Sequence, residues 1–351
     1  MTALSPANAT RHLPPNLNHW YPVAQSGELK TLKALAVTVW KQSIVLFRNS
    51  QRQVRAIEDR CPHRQVKLSH GDVQGDRIVC AYHGWEFDGS GRCQSVPYLT
   101  GGQGMPSGCH VRAYPVREQD GFIWVFPGSP EQAETVDPMP IPQWHSLSHI
   151  VSWASMDCEA HYAFLIENLM DMYHGHLHRH YQAWLNPHLD TIDIDSTRII
   201  ARYRADCVFR IRSLFSALQL VIPALRRPYP THLTVSYHYP HWLARLGEDF
   251  SLCCLFSPID ETRTRIHFMH FTNLERFPVR DAPRWVQRLI KRSFRNSARF
   301  MIHGLLRDDA VMVYEEQQAH LQHPRLQNIE LNPALAAVQR LIRQQAGVSA
   351  G

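Results

Sequence analysis

"CPHRQVKLSHGDVQGDRIVCAYHGW", residues 61–85, contains two cysteine–histidine pairs separated by sixteen residues. The pairs are Cys61 with His63 and Cys80 with His83. Two thiolates and two imidazoles suit either a tetrahedral zinc ion or a [2Fe–2S] cluster in which one iron carries both histidines. A single residue between Cys61 and His63 is tight for chelating one zinc ion, but it works when the two side chains bind different irons. The spacing therefore favours the cluster over zinc.

This segment resembles the Rieske iron–sulfur domain. The resemblance implies that Cys61 and Cys80 are the thiolate ligands of a [2Fe–2S] cluster and that His63 and His83 are its imidazole ligands. It also implies that the cluster carries electrons to or from another redox centre.

Two positions in the loops distinguish the branches of this family. Respiratory-type Rieske proteins carry two further cysteines, one in each loop, that form a disulfide beside the cluster. Val66 and Tyr82 stand at the matching positions here, so that disulfide cannot form. The motifs "CPHR" and "CAYHGW" are similar to the oxygenase branch, in which the cluster supplies electrons to a second metal.

The composition is that of a globular chain. At 351 residues, with 44% hydrophobic and 19% charged residues, it is long enough for two domains. The net charge of +6 is too small to indicate nucleic-acid binding, and we expect none. Because the sequence shows neither a signal-peptide pattern nor an apolar run of membrane-spanning length, we expect a soluble cytoplasmic protein. We expect its eight cysteines to be thiols or metal ligands.

The order of strand-like and helical patterns predicts two domains. An N-terminal arm over 1–18 precedes short β-branched runs, which predict an all-β domain over 19–130. A stretch rich in proline and acidic residues marks a linker over 131–145. Residues 146–351 mix strands and helices without βαβ alternation, which predicts an α+β domain built on an antiparallel sheet. The family resemblance makes this second domain a helix-grip, START-like fold.

Two helices are predicted in the second domain. Residues 155–181 contain no proline and only one glycine, so we expect them to be helical. A longer helix is expected from about Pro283 to His320, where the ordered part ends. The apolar run "LFSALQLVIPAL" (214–225) is expected to be core or the lining of a substrate pocket.

The stretch "NLMDMYHGHLHRHY", which ends the first of these helices, holds four histidines within seven residues. Iron(II) that activates O₂ is commonly held by two histidines and one carboxylate, with the remaining positions open. On a helix, residues four apart share a face, so the candidate pairs are His174 with His178 and His176 with His180.

Asp171 distinguishes between the two pairs. It precedes His174 by three residues and His178 by seven, so these three side chains make one helical stripe. No comparable carboxylate accompanies the other pair. The pattern favours His174 and His178 as ligands, with His180 as the alternative second ligand.

The resemblance to Rieske oxygenases continues in this stretch. Their catalytic domains show an asparagine, an aspartate three residues later, a histidine three further on and a second histidine five beyond. Asn168, Asp171 and His174 fit, but position five is Arg179, and His178 is the nearest match. The resemblance implies that Asp171 connects the iron ligands to a cluster histidine of a neighbouring subunit, in a ring-shaped homo-oligomer that is usually a trimer. A purely orienting role for Asp171 is the alternative.

The third iron ligand is expected from "LLRDDAVMVYEEQQ" (305–318). Asp308 and Asp309 both lie on half-apolar helical stripes, so helical periodicity does not decide between them. In relatives the ligand aspartate precedes a glutamine by about eight residues, which favours Asp309, paired with Gln317, over Asp308. A capping or surface pair of acids is the alternative.

A basic amphipathic segment over 276–299 carries eight arginines and lysines. It is interpreted as a solvated face, as a docking surface for an acidic ferredoxin or reductase, or as a contact with an anionic membrane surface. No nucleotide-binding fingerprint is present, so electrons are expected from a separate ferredoxin or flavin reductase.

The resemblance implies an oxygenase component that contains a [2Fe–2S] cluster and a mononuclear iron(II). It is expected to use O₂ to hydroxylate an apolar or aromatic small molecule, or to demethylate such a molecule through hydroxylation. The candidate substrates include macrocyclic molecules. Monooxygenases, demethylases and chlorophyll-catabolite oxygenases are the most similar branches. The alternatives are a Rieske electron carrier or redox sensor with a non-catalytic second domain, and a zinc-binding module.

Overall fold

The computed structural model describes residues 10–99, 105, 107–178, 182–209, 228–248, 250–273, 283–326 and 328–347. Contacts between residues group the chain into two compact units, one over Asn16–Pro140 and one that combines residues 141–351 with the N-terminal segment. The domain boundaries given above remain sequence-based predictions.

The first unit is built from short antiparallel strands in three sheets, ordered β1-β10-β9, β2-β3-β4 and β5-β6-β7-β8. Its strands are β1 (Tyr21–Gln25), β2 (Ala34–Val39), β3 (Gln42–Arg48), β4 (Val54–Glu58), β5 (Asp72–Gln74), β6 (Arg77–Val79), β7 (Glu86–Asp88), β8 (Cys93–Ser95), β9 (Val116–Gln119) and β10 (Phe122–Val125).

Strand β3 separates two apolar cores within this unit. Successive side chains of a strand point to opposite faces. Ile44 and Leu46 accordingly lie in one cluster, and Val45 and Phe47 in the other. The second cluster also contains the two cysteines of the opening motif, so the cysteine loops are anchored in a packed core.

The second unit contains one seven-stranded antiparallel sheet, ordered β11-β17-β16-β15-β14-β13-β12. Its strands are β11 (His149–Cys158), β12 (Gln182–Ile194), β13 (Arg198–Phe209), β14 (Tyr229–His238), β15 (His241–Leu246), β16 (Phe250–Pro258) and β17 (Thr264–Asn273).

Three α-helices accompany this sheet: α1 (Tyr162–Met170), α2 (Arg284–Gln322) and α3 (Pro333–Gln345). Helix α2 packs against β11, and α1 contacts both α2 and α3. Short 3-10 segments lie at Leu68–His70, Pro130–Gln132 and Met172–His178. The first unit is thus all-β and the second α+β, which confirms the predicted fold class.

The apolar, β-branched runs at 33–40, 43–49, 53–60, 121–128, 197–205, 232–240, 250–259 and 264–273 predict strands, and each run coincides with one. These runs did not single out the other nine described strands, among them β12 and β15, and helix α3 was not predicted. The prediction that the ordered part ends at residue 320 is therefore wrong, because α3 follows. Its start was visible in "NPALAAVQRLIRQQ", where the Asn332 side chain caps the Ala334 N–H and Pro333 takes the first helical position.

The prediction of one helix over 155–181 is also wrong. Residues up to Cys158 belong to β11, which pairs with β17 in continuous register. The helix that follows is only α1, capped by His161 and ended by the extended backbone of Asp171. Long-range strand pairing outweighs local helix propensity here.

Two predicted segments cannot be compared with the structure. The apolar run 214–225 lies outside the described residues. The basic segment 276–299 is helical from Arg284 onward, but its basic side chains are not described. Within the part of the chain that is described, no helix combines the length and apolarity needed to cross a bilayer.

Candidate metal centres

The loop of the first cysteine–histidine pair is a tight turn closed by two backbone hydrogen bonds. The Cys61 N–H donates to the Val66 carbonyl at 2.8 Å, and the Gln65 N–H donates to the Cys61 carbonyl at 2.8 Å. Gln65 takes the left-handed conformation, with φ of 62°. The turn directs Cys61 into the core and leaves His63 at the surface.

The loop of the second pair repeats this geometry. The Cys80 N–H donates to the Trp85 carbonyl at 2.8 Å, and the Gly84 N–H donates to the Cys80 carbonyl at 3.0 Å. Gly84 takes the left-handed position that Gln65 takes in the first loop, with φ of 70°. The motif's unequal spacings of one and two residues therefore lie on two turns with the same hydrogen-bonding pattern.

The four candidate cluster ligands lie together in pairs. Cys61 and Cys80 are 1% and 2% exposed, and burial, together with the neighbouring thiol, raises the pKa of Cys61 to about 11. The rings of His63 and His83 lie 4.5 Å apart, and Trp85 stacks on His63 at 5.0 Å. Buried thiols become thiolates only when a cation compensates the charge. Two thiols buried in the core and two imidazoles outside that core fit the donor set of a cluster whose two irons have different ligands.

Val66 and Tyr82 occupy the positions at which a loop disulfide would form in the respiratory branch. Val66 packs against the cysteine-containing core, and Tyr82 is 62% exposed. Every cysteine is a free thiol. The loops are therefore held by their backbone hydrogen bonds and by core packing.

The second site brings together His174, His178 and Asp309. Asp309 Oδ1 lies 3.2 Å from His178 Nε2 and 3.8 Å from His174 Nε2, and the two imidazole rings are 5.2 Å apart. One ligand atom from each residue lies within 4.8 Å of the others. This is the spacing that a single metal ion requires.

The polar atoms of this site fit a bound cation. Asp309 is 6% exposed, and its Oδ1 has no aligned hydrogen bond among the described residues despite its short distance to His178. The Nδ1 atoms of both histidines are likewise buried without an aligned hydrogen bond, although the Asp171 carbonyl lies near the His174 ring. Burial lowers the pKa of His174, opposed by the Asp309 carboxylate, which favours the neutral imidazole that binds metal. A buried carboxylate without a partner is costly, and a metal ion removes that cost.

The two histidines lie on a 3-10 segment, so the helical stripe that predicted them is not the physical reason for their convergence. A 3-10 helix has three residues per turn, which places residues four apart on different sides. His174 and His178 instead turn towards Asp309 on α2, while His176 is exposed. His180, the alternative ligand, lies outside the described residues.

Trp184 on β12 holds this segment in place. Its indole N–H donates to the Met172 carbonyl, and its ring lies 5.5 Å from those of His174 and His178. Gly175 packs directly against it, so a Cβ there would overlap the Trp184 carbonyl oxygen and lie 2.7 Å from the indole nitrogen. Sequence patterns gave no signal for Trp184, because β12 itself was not predicted.

Asp171 and Asn168 lie beside the three-residue site. Asp171 ends α1, and its Oδ1 accepts hydrogen bonds from the Tyr173 N–H at 3.0 Å and from Asn332 at 2.9 Å. Asn168 lines a second cavity of about 300 Å³ that also contacts Asp309. Asp308 is half-buried and does not belong to the three-residue group.

Gln317, the glutamine expected eight residues after the ligand aspartate, hydrogen-bonds α2 to the backbone next to the strands of the sheet. Its Oε1 accepts from the His161 N–H at 2.6 Å, and its Nε2 donates to the Glu159 and Thr262 carbonyls at 3.2 and 3.3 Å. These bonds fix the rotation and height of α2. They therefore position Asp309, two turns earlier on the same helix.

A cavity of about 640 Å³, measured with its opening to solvent, extends from the three-residue site. Besides the site itself, its described wall is formed by Leu169, Met172, Trp184, Val235, Trp242, Ala244, Leu246, Leu252, Phe268, His270, Ile302 and Leu305. The wall is apolar except for a few polar atoms, as in pockets that bind apolar small molecules.

Comparison with known proteins assigns a domain family to each part of the chain. The Rieske [2Fe-2S] domain model matches residues 19–115, and the vanillate O-demethylase oxygenase C-terminal domain model matches residues 158–346. The second match alone covers more than half of the chain.

Individual relatives extend this likeness. The 4beta-methylsterol monooxygenase of Methylococcus capsulatus is 34% identical over 92% of this chain and 86% of its own length. The oxygenase component of dicamba O-demethylase from Stenotrophomonas maltophilia is 36% identical, over about half of each chain (46% of this one and 47% of its own). A crystal structure of dicamba monooxygenase bound to 3,6-dichlorosalicylic acid superposes with a TM-score of 0.76 at 22% identity, covering 94% of this chain and 97% of that one, which shows the shared fold.

The chain therefore contains, in order, a domain that carries the cluster and a domain that carries the non-heme iron of an O₂-incorporating oxidoreductase. It belongs to the Rieske non-heme iron oxygenases.

Proposed function

We propose that this chain is the oxygenase component of a multicomponent system that hydroxylates, or demethylates through hydroxylation, an apolar small molecule. The observation that carries this proposal is the convergence of His174, His178 and Asp309 at one end of an apolar cavity. In this proposal these three residues hold the mononuclear iron. The cluster ligands are Cys61, His63, Cys80 and His83.

Each part of the catalytic site has a definite task. Iron held by two histidines and one carboxylate supplies O₂ activation at its open positions. Trp184 fixes the orientation of both histidine rings. Gln317 fixes α2 and thereby the position of the Asp309 carboxylate. The apolar wall excludes water and holds an apolar substrate carbon next to the metal.

Electrons come from a separate protein in this proposal. Among the relatives, one is named as the oxygenase component of dicamba O-demethylase, and another as an iron–sulfur subunit of a toluene-4-sulfonate monooxygenase system. We infer that a ferredoxin or flavin reductase reduces the cluster of this chain as well. Asp171, hydrogen-bonded beside the iron ligands, is inferred to connect the two metals between subunits of a trimer.

The electron-carrier alternative gives the second domain no metal. It leaves unexplained why two imidazoles and a carboxylate are buried together with unsatisfied polar atoms. The oxygenase proposal accounts for those atoms.

The substrate is proposed to be an apolar polycyclic molecule that carries a methyl group. The wall of the cavity supports this class, as does the methylsterol monooxygenase that matches the chain over most of its length. Aromatic acids, the class to which 3,6-dichlorosalicylic acid belongs, fit the apolar wall less well.

The test is turnover of a 4β-methylsterol under ¹⁸O₂ with a ferredoxin and reductase as electron donors. We expect a product that contains one labelled oxygen atom, formed only when the cluster is reduced. Product without label, or no product from any apolar compound in a panel of methylated polycycles and macrocycles, would contradict the proposal.

A further inference from the structure

His270 places an unpartnered polar atom in the wall of the apolar cavity. It lies on β17, is 6% exposed, and its Nδ1 lies 3.4 Å from the Thr272 hydroxyl. Its Nε2 is buried and has no hydrogen-bond partner among the described residues. Buried polar atoms are almost always hydrogen-bonded, so an exception in a binding cavity indicates a ligand atom that completes it.

A second residue of the cavity wall also carries an unpartnered polar atom. Trp242 on β15 is 2% exposed, and its indole N–H lacks an acceptor within the described ranges. The strand register pairs Trp242 with Cys254 and Cys254 with Phe268, two residues before His270. The two side chains therefore lie on the same face of the sheet, two strands apart and offset by two residues, which is roughly 12 Å.

The cavity wall is suited to a neutral ligand. The lining residues named above include no lysine or arginine that could pair with a carboxylate. Burial lowers the pKa of His270 to about 4, so its imidazole is neutral at pH 7. A neutral imidazole nitrogen binds a hydroxyl either as donor or as acceptor, and an indole N–H donates to any neutral oxygen.

We infer that His270 is a specificity-determining residue that hydrogen-bonds a neutral oxygen, a hydroxyl or carbonyl, on the substrate. The substrate class is thereby narrowed to apolar polycyclic alcohols or ketones, with Trp242 available to a second oxygen. The hydrogen-bonding site does not depend on the proposed function. Only the identification of its ligand as the substrate rests on that function.

Binding without turnover tests the inference. A 4β-methylsterol and its analogue without the hydroxyl are titrated into the oxidised protein under anaerobic conditions, and both dissociation constants are measured. We expect the wild-type protein to bind the alcohol about tenfold more tightly than the deoxy analogue, the effect of one buried hydrogen bond.

Two substitutions at the same position separate hydrogen bonding from shape. His270→Phe should weaken binding of the alcohol about tenfold and leave binding of the deoxy analogue within about twofold. His270→Gln, which keeps hydrogen-bonding atoms, should restore part of the preference. Unchanged cluster absorbance and iron content show that each variant is folded.

His267 offers a matched control on the same strand. It is 2% exposed and lies 2.7 Å from the Ser155 hydroxyl, on the opposite face of the sheet from His270. His267→Phe should change the affinities for both ligands by the same factor.

The outcomes distinguish this inference from the proposed function. A wild-type protein that does not prefer the alcohol, or a His270→Phe variant that keeps the preference, overturns the inference. If the methylsterol is oxidised and His270→Phe keeps the preference, the function stands and the inference fails. If neither ligand is oxidised but the preference depends on His270, the inference stands as a binding site and the proposed reaction fails.

Discussion

Asp308 and Asp309 are neighbours on the same helix, yet they have different environments. Asp309 is buried at 6% exposure against two imidazoles, and Asp308 is half-buried outside the group. Adjacent helical residues point about 100° apart, so the rotation of α2 decides which one faces the histidines. Gln317 fixes that rotation through its three hydrogen bonds. The glutamine that favoured Asp309 in the sequence is thus part of the physical cause.

Gly175 lies between the two histidines and against Trp184, so its substitution should displace the 3-10 segment. A Cβ at this position overlaps the Trp184 backbone. We expect Gly175→Ala to weaken binding of the mononuclear iron about 10- to 100-fold, as other changes next to metal ligands do, while the cluster stays intact. Iron titration of the metal-depleted site measures the effect.

Gly27 supplies the control, because a Cβ there meets no atom within 4 Å. Gly27→Ala should leave the iron affinity unchanged. Equal affinities for the Gly175→Ala variant and the wild-type protein would contradict the role given to the contact with Trp184.

At the scale of elements, α1 joins the sheet to the histidine segment. His161 caps this helix: its Nδ1 accepts from the Ala163 N–H at 3.3 Å, and its Nε2 donates to the Leu13 carbonyl at 3.1 Å. The bond accepted by Nδ1 requires an unprotonated nitrogen and therefore the neutral imidazole. The helix then ends at Asp171, where the chain turns into the 3-10 segment.

Acid should destabilise this helix start. Burial lowers the pKa of His161 from 6.5 to about 3, against the opposing effect of its hydrogen bond to Leu13. Because the folded-state pKa is depressed, the stabilisation is present above pH 6.5 and is lost as the pH falls from 6.5 towards 3. Between pH 7 and pH 5 we expect His161 to account for a loss of about 2 kcal/mol in the free energy of unfolding.

His161→Asn keeps a capping oxygen but cannot titrate in this range. Urea unfolding followed by circular dichroism at pH 7 and pH 5 should show a smaller loss for this variant than for the wild-type protein. Parallel losses in the two proteins would show that His161 is not the source of the acid sensitivity.

The sequence predicted about half of the described strands and the residues of both candidate centres, but not the backbone that carries the second. Strands such as β3 were predictable because the alternation of their side chains is local. The break between β11 and α1 was not, since it depends on pairing with β17, about a hundred residues away. His174 and His178 were chosen on an α-helical stripe that does not exist, and their convergence depends on Trp184 and Asp309, which are distant in sequence.

At the scale of the whole molecule, each unit carries one candidate metal centre. The family resemblance implies a trimer, and two exposed apolar side chains are candidates for its contact. Ile329 and Leu331, between α2 and α3, are 90% and 83% exposed, and Asn332 beside them binds Asp171, the residue proposed to connect subunits. Burial of such side chains in a contact between subunits removes apolar surface from water.

We therefore expect light scattering to give three times the chain mass of 40.6 kDa. Ile329→Glu combined with Leu331→Glu should shift the mass towards that of the single chain, because the charges oppose burial. Leu147→Glu, at a residue that is 89% exposed elsewhere in the chain, should leave the mass unchanged. A wild-type protein with the mass of one chain would contradict the trimer.

The metal content of two neighbouring variants tests whether one chain holds two separate iron sites. Iron and acid-labile sulfide are quantified in anaerobically purified wild-type protein, Asp309→Asn and Asp308→Asn, together with the visible spectrum of the cluster. We expect about three irons and two sulfides per chain for the wild-type protein and for Asp308→Asn, as one [2Fe–2S] cluster and one mononuclear iron require. For Asp309→Asn we expect loss of about one iron with the cluster spectrum unchanged. An unchanged iron count in Asp309→Asn, or loss of the mononuclear iron in Asp308→Asn instead, would contradict the presence of two separate iron sites with Asp309 as a ligand of the second.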